Sequence, residues 1–246
     1  MFHYYVSEVM TLTLYSIIAF LILCLVSMKK LSINIGIIIN IIVWYTVLNF
    51  FIRFPWFKIG TMDWTGKLLV IFVIVVIMIY KKHKNEEGFV YFTFENKNKS
   101  ILIITSIMYL IVITVSLCLL LFYGIFNIEV FLSYIILIGI SEELFFRGFI
   151  YKKILGIKNA WGNKKYIPII VCSLLFCITH LSFFHLSFME NIRALIFPFL
   201  GGIIFNYLYE KSRNIMVPIM VHNIFNTFYY TVWVILNVYN FDIGGI

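Results

Sequence analysis

The chain alternates between long apolar runs and short polar loops, and the apolar runs recur over its whole length. A run of about 18 or more apolar residues is long enough for an α-helix to cross the hydrocarbon core of a bilayer. Eight such spans are predicted, at residues 9–28, 31–52, 64–80, 101–123, 130–151, 167–189, 194–209 and 215–238. The pattern therefore predicts an all-α, polytopic membrane protein with about eight transmembrane helices.

The composition agrees with this pattern. Of the 246 residues, 63% are hydrophobic and only 12% are charged, which excludes an ordinary soluble globular protein. The formal net charge is +8, but the lysines cluster in short loops between apolar runs, as topology signals and headgroup contacts do. Nucleic acid is therefore not an expected partner, whereas the lipid bilayer is.

The four cysteines all lie within apolar runs and include no Cys-x-x-Cys pair, so they predict neither disulfides nor a zinc site of their own. No basic region followed by a small-residue cleavage site precedes Lys29-Lys30, so the first span is expected to be retained. No repeat or low-complexity linker divides the chain, and residues 1–246 are expected to form one membrane domain.

The distribution of basic residues predicts the orientation. Fourteen of the nineteen Lys and Arg residues lie in the loops that follow the first, third, fifth and seventh spans. Basic loops stay on the cytosolic side of a membrane. Both termini are therefore predicted to lie outside, in a multi-pass protein of the cell membrane.

The fifth span contains the most unusual stretch of the chain, Ser-Glu-Glu-Leu-Phe-Phe-Arg-Gly at residues 141–148. An ionisable side chain at the centre of a bilayer costs about 2.5 to 3.5 kcal/mol on insertion scales, so such a group needs a partner or a function. Glu143 and Arg147 are four residues apart on one helix face, and Arg147 could hold the carboxylate with a two-pronged hydrogen bond. Glu142 projects about 100° away and has no partner on its own helix. A desolvated carboxylate holds a proton more tightly than one in water, which suits a general base.

Two later spans carry further polar groups. His180 lies in the sixth span, and His222 and Asn226 lie four residues apart on the eighth. Two histidines and a carboxylate from three helices could bind a metal or position a water molecule. A His–Asn pair could also donate hydrogen bonds to a developing oxyanion. Each residue alone is commonly structural, but together, on three of the last four spans, they predict a functional site.

The order and spacing of these residues resemble those of the CPBP family, the CAAX protease and bacteriocin-processing intramembrane proteases, also called the Abi family. Gly148 after the arginine and Gly201-Gly202 ahead of the last motif also match, and the resemblance covers about residues 130–228. The motifs are Glu-Glu-x-x-x-Arg at Glu142, Glu143 and Arg147, Phe-x-x-x-His at Phe176 and His180, and His-x-x-x-Asn at His222 and Asn226.

The resemblance implies roles for these residues. Glu142 and His180 are expected to activate the attacking water, Glu143 and Arg147 to support the first motif, and His222 and Asn226 to stabilise the oxyanion. It also implies a catalytic core of four helices at residues 128–238, with residues 1–127 as accessory helices.

Two mechanisms remain open at this stage. Either a glutamate-activated water acts alone, or Glu142, His180 and His222 hold a divalent metal such as zinc. The sequence lacks the His-Glu-x-x-His signature, which excludes only one type of metal site.

The resulting hypothesis is an intramembrane endopeptidase with a site that opens toward the cytosol. Its expected partner is a membrane-associated protein or peptide precursor, such as a CAAX-like protein, a bacteriocin, a leader peptide or a pheromone. Two other functions would also explain intramembrane charges: a non-catalytic membrane scaffold or regulator, and a proton-coupled transporter. The oligomeric state is not predicted.

Overall fold

A computed structural model describes residues 2–27, 31–53, 64–83, 99–157, 166–181 and 187–238. The described part of the chain is helical apart from short turns and helix ends. We number its helices α1 Phe2–Ser27, α2 Leu31–Arg53, α3 Trp64–His83, α4 Lys99–Phe122, α5 128–155, α6 Tyr166–Ile178, α7 Phe188–Ser212 and α8 Met216–Val238. The prediction of an all-α, polytopic membrane protein is confirmed.

Five of these helices contain a stretch long and apolar enough to cross a membrane, namely α1, α2, α4, α7 and α8. The apolar parts of α3 and α6, at Trp64–Tyr80 and Tyr166–Ile178, are shorter. Each predicted span overlaps a described helix, and the sixth overlaps both α6 and the start of α7. The count of eight membrane crossings stays a prediction. The predicted end of the first span, at residue 28, lies outside the described residues.

The boundary between the sixth and seventh predicted spans is wrong. The sixth span was expected to continue to residue 189, but α6 ends at Ile178. The amides of His180 and Leu181 then bond to carbonyls only three residues back, which tightens the chain into a turn. A capping box of Ser187 and Glu190 starts α7, so this helix begins before the predicted residue 194. His180 consequently follows a helix end instead of lying within a helix.

Helix α5 contains two π-helical segments, Ser133–Leu137 and Leu144–Ile150, which flank the α-helical turn Ile138–Glu143. At the ends of these segments the amides of Ile138 and Tyr151 bond to carbonyls five residues back. Each π segment turns the following side chains relative to an ideal α-helix and often occurs at a functional site. The two glutamates therefore lie on a helix whose phase changes on both sides of them.

The four C-terminal helices pack together around the acidic stretch of α5. Helix α6 packs closely along α7, and α8 contacts both α5 and α7. Helices α1, α2 and α3 cover one side of this core, with α1 against α6 and both α2 and α3 against α5, while α4 packs against α8. Large apolar side chains such as Leu25, Phe72 and Leu110 are exposed on the outer helix faces, as expected for contact with lipid.

The close packing of α6 and α7 depends on a glycine. A Cβ atom at Gly202 would lie 3.0 Å from Cβ and 3.1 Å from Cα of Ser173 on α6. Its neighbour Gly201 has room, because a Cβ atom there would lie 3.4 Å from the edge of the Phe205 ring. Small residues let membrane helices approach in this way.

We expect Gly202→Ala to destabilise the protein by about 1–3 kcal/mol, because the added methyl group meets backbone that cannot move aside locally. Gly201→Ala is the matched control and should leave stability unchanged or slightly raised, since alanine is the better helix former. Thermal unfolding in detergent micelles measures both. Equal midpoints for the two variants would contradict the close contact.

Candidate active site

The centre of the site is a buried ion pair within α5. Nη1 of Arg147 lies 3.0 Å from Oε1 of Glu143, and both side chains are fully buried. The pair joins residues i and i+4, as their spacing predicts. The expected two-pronged grip on Glu143 is wrong, because the second nitrogen, Nη2, donates to the carbonyl of Gly202 on α7 at 3.1 Å. The guanidinium therefore connects α5 to α7.

Three phenylalanines enclose the guanidinium of Arg147. Its Cζ atom lies 4.7 Å from the ring centroid of Phe176, 5.3 Å from that of Phe205 and 5.9 Å from that of Phe146. Aromatic faces attract a cation, and the attraction is strongest where water is excluded. The rings come from α5, α6 and α7, so one buried cation contacts three helices of the core.

His222 on α8 joins the ion pair. Its Nδ1 lies 2.7 Å from the same Glu143 oxygen that Arg147 contacts. Because a carboxylate paired with arginine accepts hydrogen bonds, Nδ1 of His222 is the donor in this contact. The ring of Phe205 stacks on the imidazole at 4.8 Å between centroids. These contacts hold His222 in one ring orientation.

Glu142 lies on the other side of the same imidazole. Its Oε2 atom is 3.8 Å from Nε2 of His222, and its side chain is 18% exposed, whereas that of Glu143 is 0% exposed. This oxygen is itself buried and has no hydrogen-bond partner among the described residues. Glu142 therefore has no partner on its own helix, as predicted, but faces a partner on α8. The two adjacent glutamates contact the two nitrogens of one histidine.

His180 lies in the turn after α6 and is held by the end of that helix. Its Nδ1 is 3.0 Å from the carbonyl oxygen of Phe176 and 3.5 Å from the hydroxyl of Thr179. The ring of Phe176 contacts the imidazoles of both His180 and His222, with centroids 4.8 and 5.9 Å away. The two histidines thus pack against one phenylalanine.

Asn226 lies one helical turn after His222 on α8 and is half-buried. Its side-chain nitrogen is buried and has no hydrogen-bond partner among the described residues. A buried amide without a partner is costly, and such groups are found where a ligand or substrate completes the bonding.

Sequence reasoning missed Asn223, the residue next to His222. Its Oδ1 accepts a hydrogen bond from the amide of Gly139 at 2.9 Å, just after the first π-helical segment of α5. Its Nδ2 donates to the carbonyl of Ile136 at 3.4 Å. A Cβ atom at residue 139 would lie 2.2 Å from Oδ1, so only glycine fits there. In the sequence, the glycine at position 139 within an apolar span is the feature that indicates a close approach of another helix.

The arrangement of the predicted metal ligands, Glu142, His180 and His222, fits a metal site only in part. Glu142 and His222 face each other, but no group of three His, Cys, Asp or Glu side chains suited to a metal occurs in the described part of the chain. The ligand set of Glu142, His180 and His222 stays a prediction from the sequence.

The comparison with protein families agrees with the motifs. Residues 124–228 match the family described as type II CAAX prenyl endopeptidase, Rce1-like. The match covers somewhat less than half of the chain and includes all six predicted site residues, whereas helices α1–α4 precede it. The comparisons with curated proteins and with solved structures gave no match.

We expect Arg147→Ala to lower the free energy of unfolding by about 3–5 kcal/mol, because it leaves the Glu143 carboxylate buried without its cation. Replacing both residues, with Glu143→Leu and Arg147→Met, should regain much of this loss, since no unpaired charge remains. Chemical unfolding in micelles measures the free energy of unfolding of the wild type, of Arg147→Ala and of the double variant.

Glu210→Gln is the control for the loss of a charge pair. Glu210 lies 3.4 Å from Arg213, and their side chains are 28% and 42% exposed. We expect this substitution to cost less than about 1 kcal/mol. A similar cost for Arg147→Ala would show that the buried pair does not support the core.

Proposed function

We propose that this chain, which contains an Rce1-like type II CAAX prenyl endopeptidase domain at residues 124–228, is an intramembrane endopeptidase. It would hydrolyse a peptide bond of a membrane-associated protein or peptide. The observation that carries the proposal is the pair of glutamates around His222. Glu143 binds one ring nitrogen at 2.7 Å, and Glu142 faces the other nitrogen at 3.8 Å.

The proposed mechanism uses a site in which negative and positive charges balance. In a medium of low dielectric constant a charge-balanced set is far less costly than one with a net charge. Two carboxylates balance the Arg147 guanidinium and a protonated His222. In this state Glu142 can accept a proton, and Nε2 of His222 carries a hydrogen toward the substrate.

The first step is attack by water. Glu142 takes one proton from a water molecule, and the resulting hydroxide adds to the carbonyl carbon of the scissile peptide bond. The carbonyl π bond opens and its oxygen becomes negatively charged. This oxyanion accepts hydrogen bonds from Nε2 of His222 and from the side-chain nitrogen of Asn226, which has no other partner among the described residues.

The second step breaks the carbon–nitrogen bond. Glu142 gives its proton to the departing amine nitrogen, and the oxyanion collapses to a carboxylic acid, which loses its own proton to water. No covalent intermediate with the protein forms. Glu142 returns to a carboxylate ready for the next water.

His180 positions the attacking water in this proposal. Its Nδ1 lies 3.0 Å from the carbonyl of Phe176, and a carbonyl can only accept, so Nδ1 carries the hydrogen. In a neutral imidazole with its hydrogen on Nδ1, Nε2 carries the lone pair, and a lone pair is what a water hydrogen needs as acceptor. We propose that Glu142 and His180 would each accept one hydrogen of the same water molecule and so direct its lone pair at the substrate.

The substrate class follows from the family and from the membrane. A peptide that enters this site needs hydrogen-bond partners from protein or water, because lipid offers none. We propose a membrane-associated precursor, such as a CAAX-like protein or a bacteriocin, leader or pheromone peptide. The basic loops that follow α5 and α7 support a site that opens toward the cytosol.

The test compares membrane peptides from cells that produce the wild-type protein or the Glu142→Gln variant. We expect peptide termini that appear with the wild type and decrease at least about 100-fold in the variant, because the amide cannot accept the proton from water. Mass spectrometry of labelled termini measures them. Glu190→Gln is the matched control, since glutamine also completes the capping box of α7.

Equal amounts of every new terminus in the wild type and Glu142→Gln would contradict the assignment of Glu142. The absence of any terminus specific to the wild type would contradict the endopeptidase. Normal cleavage by Glu190→Gln shows that the loss is specific to the site.

A further inference from the structure

The turn that carries His180 is bonded to the N-terminal helices. The last carbonyls of a helix have no partner within it, and each needs a donor from elsewhere. At the end of α6 the carbonyls of Cys177 and Ile178 accept from the amides of His180 and Leu181. The carbonyl of Phe176 accepts from the Thr179 hydroxyl and contacts Nδ1 of His180.

Tyrosines from two distant helices bond to one carbonyl before His180 and to one after it. The hydroxyl of Tyr45 on α2 donates to the carbonyl of Leu175 at 2.9 Å. The hydroxyl of Tyr15 on α1 donates to the carbonyl of Leu181, the residue after His180. Both tyrosines are fully buried. The turn is therefore held before and after the histidine.

We propose that Tyr15 and Tyr45 are positioning residues for His180. The inference rests on the proposed role of His180 in holding the attacking water. It extends the site to two residues of α1 and α2, which lie outside the matched region 124–228. The accessory helices then contribute to catalysis by fixing the end of α6.

The tyrosine hydroxyls matter because these carbonyls have no substitute hydrogen-bond donors in lipid. A carbonyl that loses its partner inside a membrane protein cannot turn to lipid, and an unmade buried hydrogen bond is costly. Without the hydroxyls the end of α6 and the turn after it would shift until the carbonyls of Leu175 and Leu181 found other donors. His180 would move with them, and an error of about 1 Å at a reacting group can cost about 100-fold in rate.

Tyr45 also connects the turn to the buried ion pair. Its ring contacts those of Phe145 and Phe146 on α5, with centroids 6.2 and 6.4 Å away. Phe146 in turn contacts both Phe176 and the guanidinium of Arg147. One tyrosine thus contacts the helix that carries Glu142 and bonds to the helix end that carries His180.

The test uses Tyr15→Phe, Tyr45→Phe and the double variant, which remove the hydroxyls and keep the rings. We expect kcat to fall about tenfold or more in the double variant while KM changes less than about twofold, because the water and not the substrate is misplaced. Both are measured by steady-state cleavage in liposomes of a peptide that the wild type cleaves and the Glu142→Gln variant does not. His180→Ala is the reference.

The chain offers a matched control next to each tyrosine. The hydroxyls of Ser16 and Thr46 lie 2.6 Å apart and join the same two helices, and each also donates to a carbonyl of its own helix, Leu12 and Ile42 respectively. Ser16→Ala with Thr46→Val removes a hydrogen bond between α1 and α2. We expect wild-type kcat in this control, which separates positioning of His180 from general packing of the two helices.

A second readout does not depend on activity. Cys177 is 4% exposed at the end of α6, and Cys172 on the same helix is 0% exposed. We expect alkylation of Cys177 by N-ethylmaleimide to quicken about tenfold in the double tyrosine variant, because the end of α6 opens more often. Cys172 is the internal reference and should not change.

The outcomes separate this inference from the proposed function. Full activity of His180→Ala would overturn the role of His180, and with it the positioning of that residue. An inactive His180→Ala together with wild-type kcat in the double tyrosine variant would overturn only the tyrosines' role. Equal losses in the tyrosine variant and the Ser16/Thr46 control would also overturn it, since packing would then explain both.

Discussion

The ion pair of Glu143 and Arg147 is the interaction on which the rest of the site depends. Two opposite charges buried in a membrane protein are tolerated only when geometry and further hydrogen bonds compensate their loss of water. Here the compensation comes from three other helices. Gly202 on α7 accepts from the guanidinium, His222 on α8 donates to the carboxylate, and Phe176 on α6 covers the cation. The four core helices therefore meet at one salt bridge.

That requirement also explains how two adjacent glutamates differ. One oxygen of Glu143 contacts both Arg147 and His222, so these two residues hold its carboxylate in place. Glu142 faces the other nitrogen of the same histidine and is partly exposed. The buried pair fixes the imidazole, and the imidazole presents a defined nitrogen to the second glutamate. Support and proposed chemistry are thus divided between neighbouring residues.

A second constraint is the need to satisfy backbone groups away from water. The π-helical segments of α5 and the early end of α6 leave amides and carbonyls outside regular helical bonding. Asn223 bonds to the amide of Gly139, Tyr45 bonds to the carbonyl of Leu175 in the last turn of α6, and Tyr15 bonds to the carbonyl of Leu181. The irregular backbone occurs where the candidate site residues lie. Helices α1 and α2, which lie outside the family match, supply two of the hydrogen-bond donors for its carbonyls. The division into catalytic core helices and accessory helices stays a prediction, and two hydrogen bonds join the two parts of the chain.

The parts of the site that could be predicted depend on local helical geometry. The spacing of Glu143 and Arg147 predicts their contact, and apolar runs predict helices. The end of α6 was not predicted, because apolar residues recur after Ile178, among them Leu181, Phe183 and Phe184, and extend the apolar run in the sequence. The contacts of Asn223, Tyr15 and Tyr45 could not be predicted either. They join residues far apart in the chain, and helical spacing carries no information on which helices pack together.

The most direct test of the central claim, hydrolysis of a peptide bond by water at this site, uses the purified protein in liposomes. Membrane peptides extracted from cells that lack the protein are added in water enriched in ¹⁸O, and the products are analysed by mass spectrometry. Hydrolysis predicts new carboxyl termini that carry one ¹⁸O atom from the solvent. Intact peptides, whether they remain outside or accumulate within the liposomes, would contradict it.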